Sequence, residues 1–244
     1  FISNKLKNTK EDFSMLKSKE LRAKAWQSLK GKYWMAFAVV LVTGLIGSVG
    51  SAFISFGQNL SEVLGLVDPA EMDSTMALGA LVLNGVVIIS AIIGGLYSIF
   101  VTDALTVGVN NYFIKNTDSK PSFADAFSGF KVKYGRNIGT LLLVGIKTVL
   151  WTCLFIIPGV IKSFEYAIIP YILADDAEIS SKDAFKKAKQ MMNGNKWRLF
   201  KLEFSFIGWT LLCVLTLGIG TFFLIPYVNA AAAEFYVELK NKQA

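Results

Sequence analysis

The groups in this chain with the most chemical potential are a few polar side chains set in apolar sequence. Lys147 falls inside the run Ile138–Ile157, and Lys162 and Glu165 fall in the next run, Val160–Ala174. An ammonium at the centre of a bilayer costs roughly 2.5–3.5 kcal/mol on insertion scales, so it calls for a partner or a wet cavity. Glu165 is the nearest acid to Lys147 across the breaker Pro158-Gly159. Counted from that breaker at about 1.5 Å per residue, the two differ by roughly 7 Å in depth, much of which a lysine stem covers. Lys147, Glu165, Lys162 and Asn229 therefore form one candidate substrate or ion pathway. The competing reading is structural: a buried ion pair, or Lys147 snorkelling to the surface. Lys162 and Glu165, three apart, also suit a pair along one helix face. Asn84, Asn229 and Glu234 read first as groups that bond across helices.

Other chemistry is absent from the pattern. The chain has no histidine, which removes the commonest metal ligand, general base and proton relay. Cys153 and Cys213, both in apolar segments, read as small hydrophobes and not as a disulfide framework. There is no Walker loop, dinucleotide fingerprint or metal-ligand spacing, and Asp175-Asp176 reads as a cap or loop. No catalytic residue, metal or cofactor is expected, and the chain does not read as an enzyme.

The elements that must position these groups are set by charge. Tyr33–Ser61, Ser74–Thr102 and Phe204–Ala233 contain no charged residue, and each is at least 29 residues long. A bilayer-spanning helix needs about 20 apolar residues. Hydrophobic residues make up 53% and charged residues 18%, where about a quarter charged is usual for a soluble domain. The net charge of +7 does not imply nucleic-acid binding, because Lys and Arg stand in blocks beside the apolar runs, as membrane flanks do.

Residues 1–32 carry Lys5, Lys7, Lys10, Lys17, Lys19, Arg22, Lys24, Lys30 and Lys32, and do not read as a secretory signal. The loop 58–75 carries only Glu62, Asp68, Glu71 and Asp73. The positive-inside rule puts the N-terminus in the cytoplasm and this loop outside. Residues 103–136 and 177–202 are again basic, so two spans must lie between them, with the turn at Pro158-Gly159. Gly218 and Gly220 divide the last apolar stretch likewise, and the tail with Lys240 and Lys242 returns inside. The expected fold is all-α: a cytoplasmic or interfacial segment 1–32, then six transmembrane helices as three hairpins, about 33–114, 137–175 and 203–238, both termini cytoplasmic.

An internal repeat agrees with this count. Ser122-Phe-Ala-Asp-Ala-Phe127 recurs as Ser180-Ser-Lys-Asp-Ala-Phe185, Trp151-Thr as Trp209-Thr, and Ile169-Pro-Tyr171 as Ile225-Pro-Tyr227. Ser122 and Ser180, with Asp125 and Asp183 three residues on, read as capping boxes that start helices. Leu21, Ala25 and Leu29 share a face in a weaker third copy. Each hairpin is thus expected to follow a basic amphipathic helix. These helices either lie among anionic headgroups or pack under the bundle. Arg22, Trp26, Lys30, Trp34, Lys186, Lys189, Trp197 and Arg198 are the expected lipid-interface residues. Pro170 and Pro226 occupy equivalent helices, where each frees a carbonyl one turn earlier. Gly44, Gly47 and Gly50, with Ala230 to Ala233, permit close helix approach.

Leu21-Arg-Ala-Lys-Ala-Trp26, Phe155-Ile-Ile-Pro-Gly159, Pro170-Tyr-Ile-Leu-Ala-Asp175, Gly194-Asn-Lys-Trp-Arg-Leu-Phe200, Thr216-Leu-Gly-Ile-Gly220 and Pro226-Tyr227 carry a resemblance. They resemble the bacterial domain-of-unknown-function 975 family of polytopic membrane proteins, which is similar to the membrane domain of some glycerophosphodiester phosphodiesterases. The similarity covers nearly the whole chain and is strongest from 121 to 238. It implies a bacterial plasma membrane and supplies no activity and no catalytic residue. Lys147 departs from the pattern, where an apolar or hydroxyl residue is expected.

The functional expectation is a membrane protein that binds or translocates an amphiphilic molecule, a lipid or peptide, between its hairpins. The alternative is a non-transporting envelope accessory, or an immunity or stress-protection protein acting through membrane partners. Expected partners are membrane lipids, anionic on the cytoplasmic side, with a homo-oligomer or a membrane-protein partner as further company, and no nucleic acid.

Overall fold

The computed structural model describes residues 17–65 and 73–243, and every regular element among them is helical. Part of the acidic loop, 66–72, lies outside the described residues, as do Lys5, Lys7 and Lys10. Helix α1 (Ser18–Leu29) is started by Glu20, whose carboxylate accepts from the Lys17 backbone N–H at 2.8 Å. Its Leu21, Ala25 and Leu29 are buried, so the apolar face packs against protein. Of the two placements open to this face, packing under the bundle is the one observed.

Helix α2 (Tyr33–Gly65) runs for 33 residues, roughly 50 Å. Helix α3 (Ser74–Tyr97) is capped by Asp73, which accepts from Met76 N at 2.7 Å. It packs along α2 where both backbones are bare: a Cβ on Gly50 would lie 3.1 Å from the Gly94 carbonyl oxygen. A π-helical turn, Ser98–Thr102, carries α3 into α4 (Asp103–Asp118). Next come a 3-10 turn, Phe123–Phe127, and a one-turn helix α5 (Ser128–Lys131), which lie across α4. A single amphipathic helix from Ser122 is therefore not what forms. The capping box does form, with Ser122 N donating to Asp125 Oδ2 at 2.7 Å.

Helices α6 (Tyr134–Leu154) and α7 (Ile156–Tyr166) pack together and are joined by Phe155 alone. This corrects the turn expected at Pro158-Gly159: both residues lie in the first turn of α7. Proline has no N–H to lose there, and Gly159 lets the Thr152 backbone come close. Helix α8 (Ile169–Asp175) follows a break, with Pro170 in its first turn. Helix α9 (Ser181–Met192) is capped by Ser180, whose hydroxyl accepts from Asp183 N at 3.1 Å. Helices α10 (Lys196–Phe204), α11 (Ile207–Leu215) and α12 (Ile219–Gln243) complete the chain. Leu217 and Gly218, at φ 52° and 86°, turn α11 into α12. Pro226 stays inside a continuous α12, unlike Pro170.

One hydrophobic core joins α1, α4, α8, α9, α10 and α12 around Tyr112, Phe113, Ile169, Ile172, Met192, Leu202, Phe235 and Tyr236. Away from this core the exposed side chains are apolar. Leu81, Ile88, Leu150, Ile156, Ile157, Leu211 and Leu215 all project outward. In water such a surface would drive association, and in hydrocarbon it costs nothing. Four helices among the described residues are long and apolar enough to cross a membrane: Tyr33–Val63, Ser74–Asp118, Tyr134–Leu154 and Ile156–Asp175. The α11–α12 pair is not among them; α11 has nine residues, about 14 Å, against a hydrocarbon core of about 30 Å.

Candidate functional site

An open apolar cavity of about 560 Å³ lies where α1, the start of α2, α11 and α12 meet. Trp26 and Tyr33 form one wall, and Trp209, Leu212, Cys213, Thr216, Gly220, Phe223, Leu224 and Tyr227 form the rest. The rings interlock: Trp26 is 6.1 Å from Tyr227 and 6.3 Å from Tyr33, and Tyr227 is 5.3 Å from Phe206.

Most polar atoms on the lining already have protein partners. The Tyr33 hydroxyl donates to the Phe223 carbonyl at 2.8 Å. That carbonyl sits three residues before Pro226, in the turn where the missing proline N–H loosens the helix ladder. The carbonyl whose N–H donor Pro226 removes is the adjacent one, Phe222 O, four residues before the proline. The Tyr227 hydroxyl donates to the Arg22 carbonyl at 3.2 Å, and the Thr216 hydroxyl donates to Cys213 O at 2.8 Å while accepting from Gly220 N at 2.9 Å. The indole N–H groups of Trp26 and Trp209 have no hydrogen-bond partner among the described residues.

Arg22 packs behind the cavity wall, its carbonyl bonded by the lining Tyr227. Its Nη1 donates to the Ser205 carbonyl at 3.1 Å, its Cζ lies 5.9 Å from the Phe206 ring, and its Nε is buried with no hydrogen-bond partner among the described residues. Arg22 is one turn of α1 before Trp26, and Ser205 is one turn before Trp209.

The charged candidates gather elsewhere, around Glu165. Its carboxylate is 5% exposed and accepts from Lys162 at 2.8 Å and from Lys196 at 2.5 Å. Lys147 is not its partner. The Lys147 ammonium lies 3.7 Å from the centre of the Phe185 ring, a cation–π contact. The proposed Lys147–Glu165 pair therefore gives way to a different one. The sequence offered Glu165 Lys147 or Lys162; Lys162 is one partner, and only the packing of α10 on α7 brings in the other, Lys196. Asn229, half-buried on α12, has no side-chain hydrogen bond among the described residues.

Of the expected interface residues, Lys30, Lys186 and Lys189 are exposed, as are Trp34 and Trp197. Trp197 stacks on Phe200 at 4.7 Å. Arg198 is half-buried and forks onto both oxygens of Glu238 at 2.8 and 3.0 Å, bonding α10 to α12. Trp26 and Gly220 were expected as an interface residue and a turn, and both line the cavity. Sequence reasoning missed Trp209, Phe223 and Tyr227 as lining residues. The available signal was the aromatic density on either side of the Gly218 turn.

Residues 153–243 match the model of a family described as a protein of unknown function, DUF975. No curated protein and no solved structure matches the chain.

Proposed function

We propose that this chain is a membrane protein of the DUF975 family and that it binds an amphiphilic molecule in the cavity between α1–α2 and α11–α12. The observation that carries the reading is the apolar cavity of about 560 Å³, whose tyrosine and threonine hydroxyls are already bonded within the protein. Such a lining offers little to a hydrophilic solute. Its size falls within the range of roughly 300–1,000 Å³ usual for small-molecule sites. Lipid tails are as apolar as leucine, so burying a chain here in place of the bilayer gains little by itself. Ring contacts and the polar end of the ligand must supply the preference. With the orientation read from the basic blocks, the α1 end of the cavity faces the cytoplasmic leaflet of a bacterial plasma membrane, and both termini are cytoplasmic. The repeat in the sequence, Trp151-Thr with Trp209-Thr and Ile169-Pro-Tyr171 with Ile225-Pro-Tyr227, motivates a further step, in which the helix pairs shift against each other to pass the molecule on.

The test is a cavity-filling substitution. Leu212→Trp places a second indole in the space, and native mass spectrometry counts phospholipids retained after delipidation. One retained lipid fewer than wild type, in a variant with unchanged melting behaviour, is the expected result. Equal retention by the folded variant removes the cavity from the account.

A further inference from the structure

Of the three arginines in the chain, two are committed to protein. Arg136 donates to the carbonyls of Leu173, Asp176, Ala177 and Ile179 and to Asn137, and Arg198 forks onto Glu238. Arg22 differs from both. It takes part in none of the ion pairs among the described residues, which join Lys115–Asp125, Lys133–Glu178, Lys162–Glu165, Lys196–Glu165, Arg198–Glu238 and Lys240–Asp175. Among the described residues a single bond, from Nη1 to Ser205 O, occupies a group with five N–H donors.

Its surroundings keep it positive and available. A guanidinium stays protonated at any physiological pH. Between Ser18 and Lys32 the chain has Lys19, Arg22, Lys24, Lys30 and Lys32 against one acid, Glu20, whose carboxylate is held at the start of α1 by Lys17 N. The half-buried guanidinium lies over Phe206, whose ring meets Tyr227 on the cavity wall. Partial burial strengthens its attraction for an anion, since screening by water and salt is reduced. An arginine with no ion-pair partner among the described residues, packed on a ring that meets the wall of an apolar cavity, is complementary to an anion attached to a hydrocarbon chain. Guanidinium also matches phosphate geometry with two parallel N–H donors.

We infer that the cavity selects an anionic phospholipid, with Arg22 holding the headgroup phosphate and the acyl chain running between Trp26, Trp209 and Phe223. This rests on the cavity reading above and adds the charge class of the ligand and the residue that sets it. A zwitterionic lipid has the same phosphate but brings a quaternary ammonium into a basic neighbourhood, which like-charge repulsion from α1 disfavours.

The experiment is competition in native mass spectrometry, with dioleoyl phosphatidylglycerol and dioleoyl phosphatidylcholine offered together to delipidated full-length protein. Wild type is expected to retain phosphatidylglycerol at least tenfold over phosphatidylcholine. Arg22→Gln should still retain one lipid but with the preference reduced to less than threefold. Arg22→Lys should keep most of it, which separates headgroup charge from the structural bond to Ser205. Lys24→Gln, on the polar side of α1, should leave the preference unchanged. Equal retention of both lipids by wild type overturns the inference and leaves the cavity reading standing. Retention of neither overturns both. A preference that survives Arg22→Gln, or that falls equally with Lys24→Gln, shows attraction to α1 as a whole and overturns the role of Arg22.

Discussion

Replacing Glu165 with leucine should be the most damaging single change to the charged cluster. The carboxylate side chain is 5% exposed, and those of Lys162 and Lys196 are 24% and 30% exposed. Glu165→Leu leaves two ammonium groups facing each other with nothing between them. Breaking a buried pair by removing one partner costs about 3–5 kcal/mol. Here the lysines are more exposed than the acid and can swing outward, and Lys162 keeps Trp151 and Tyr166 within 5.6 and 5.8 Å. The loss should therefore be nearer about 2–3 kcal/mol. At roughly 2–4 °C per kcal/mol for a chain of this size, the thermal midpoint in mild detergent should fall by roughly 4–12 °C. Removing all three charges together, with Lys162→Leu and Lys196→Leu added, should recover at least half of that loss, because no unpaired charge remains. Lys147→Leu should be additive with Glu165→Leu within about 0.5 kcal/mol, since Lys147 contacts Phe185 and not the acid. A midpoint within 1 °C of wild type for Glu165→Leu, or strong coupling to Lys147, would refute this assignment.

Two further outcomes follow from geometry outside the charged cluster. Burial pushes the Asp125 carboxyl up, but bonds from Lys115 and from Ser122 N outweigh it and hold the group below the ordinary carboxylate range. Its contribution is thus present above the unfolded value of about 3.9 and fades as pH falls through the lower folded value. Urea midpoints should show Asp125→Asn less stable by about 1 kcal/mol at pH 7, with the gap closing below about pH 4. A gap that widens in acid would reverse the sign argued here. For topology, in a background lacking Cys153 and Cys213, single cysteines at 160 and 219 should react with an impermeant maleimide from outside, and those at 118 and 190 only from inside. Labelling of 219 from inside would show that the short α11 does not carry the chain across.

The sequence by itself determined the solvent of this protein and most of its helices. Charge-free runs of such length are stable only in hydrocarbon, and a backbone there must bond to itself, so helices follow from composition. Ser122, Ser180 and Gly218 were legible for the same local reason: a cap or a left-handed turn needs only a few neighbouring residues. The central turn was missed by three residues because proline is as acceptable in the first turn of a helix as in a break before one. The Lys162–Glu165 pair was legible from its spacing along one helix, but the second partner of Glu165 was not. The packing of α7 on α10 brings Lys196 to Glu165, and Phe185 under Lys147 takes that lysine elsewhere. The cavity belongs to the same class. Trp26 and Phe223 are far apart along the chain, and no periodicity records that α1 would lie beside α11 and α12. That placement follows from burying Leu21, Ala25 and Leu29, and only the packed tertiary structure leaves Arg22 behind the wall of the space that results, with no ion-pair partner among the described residues.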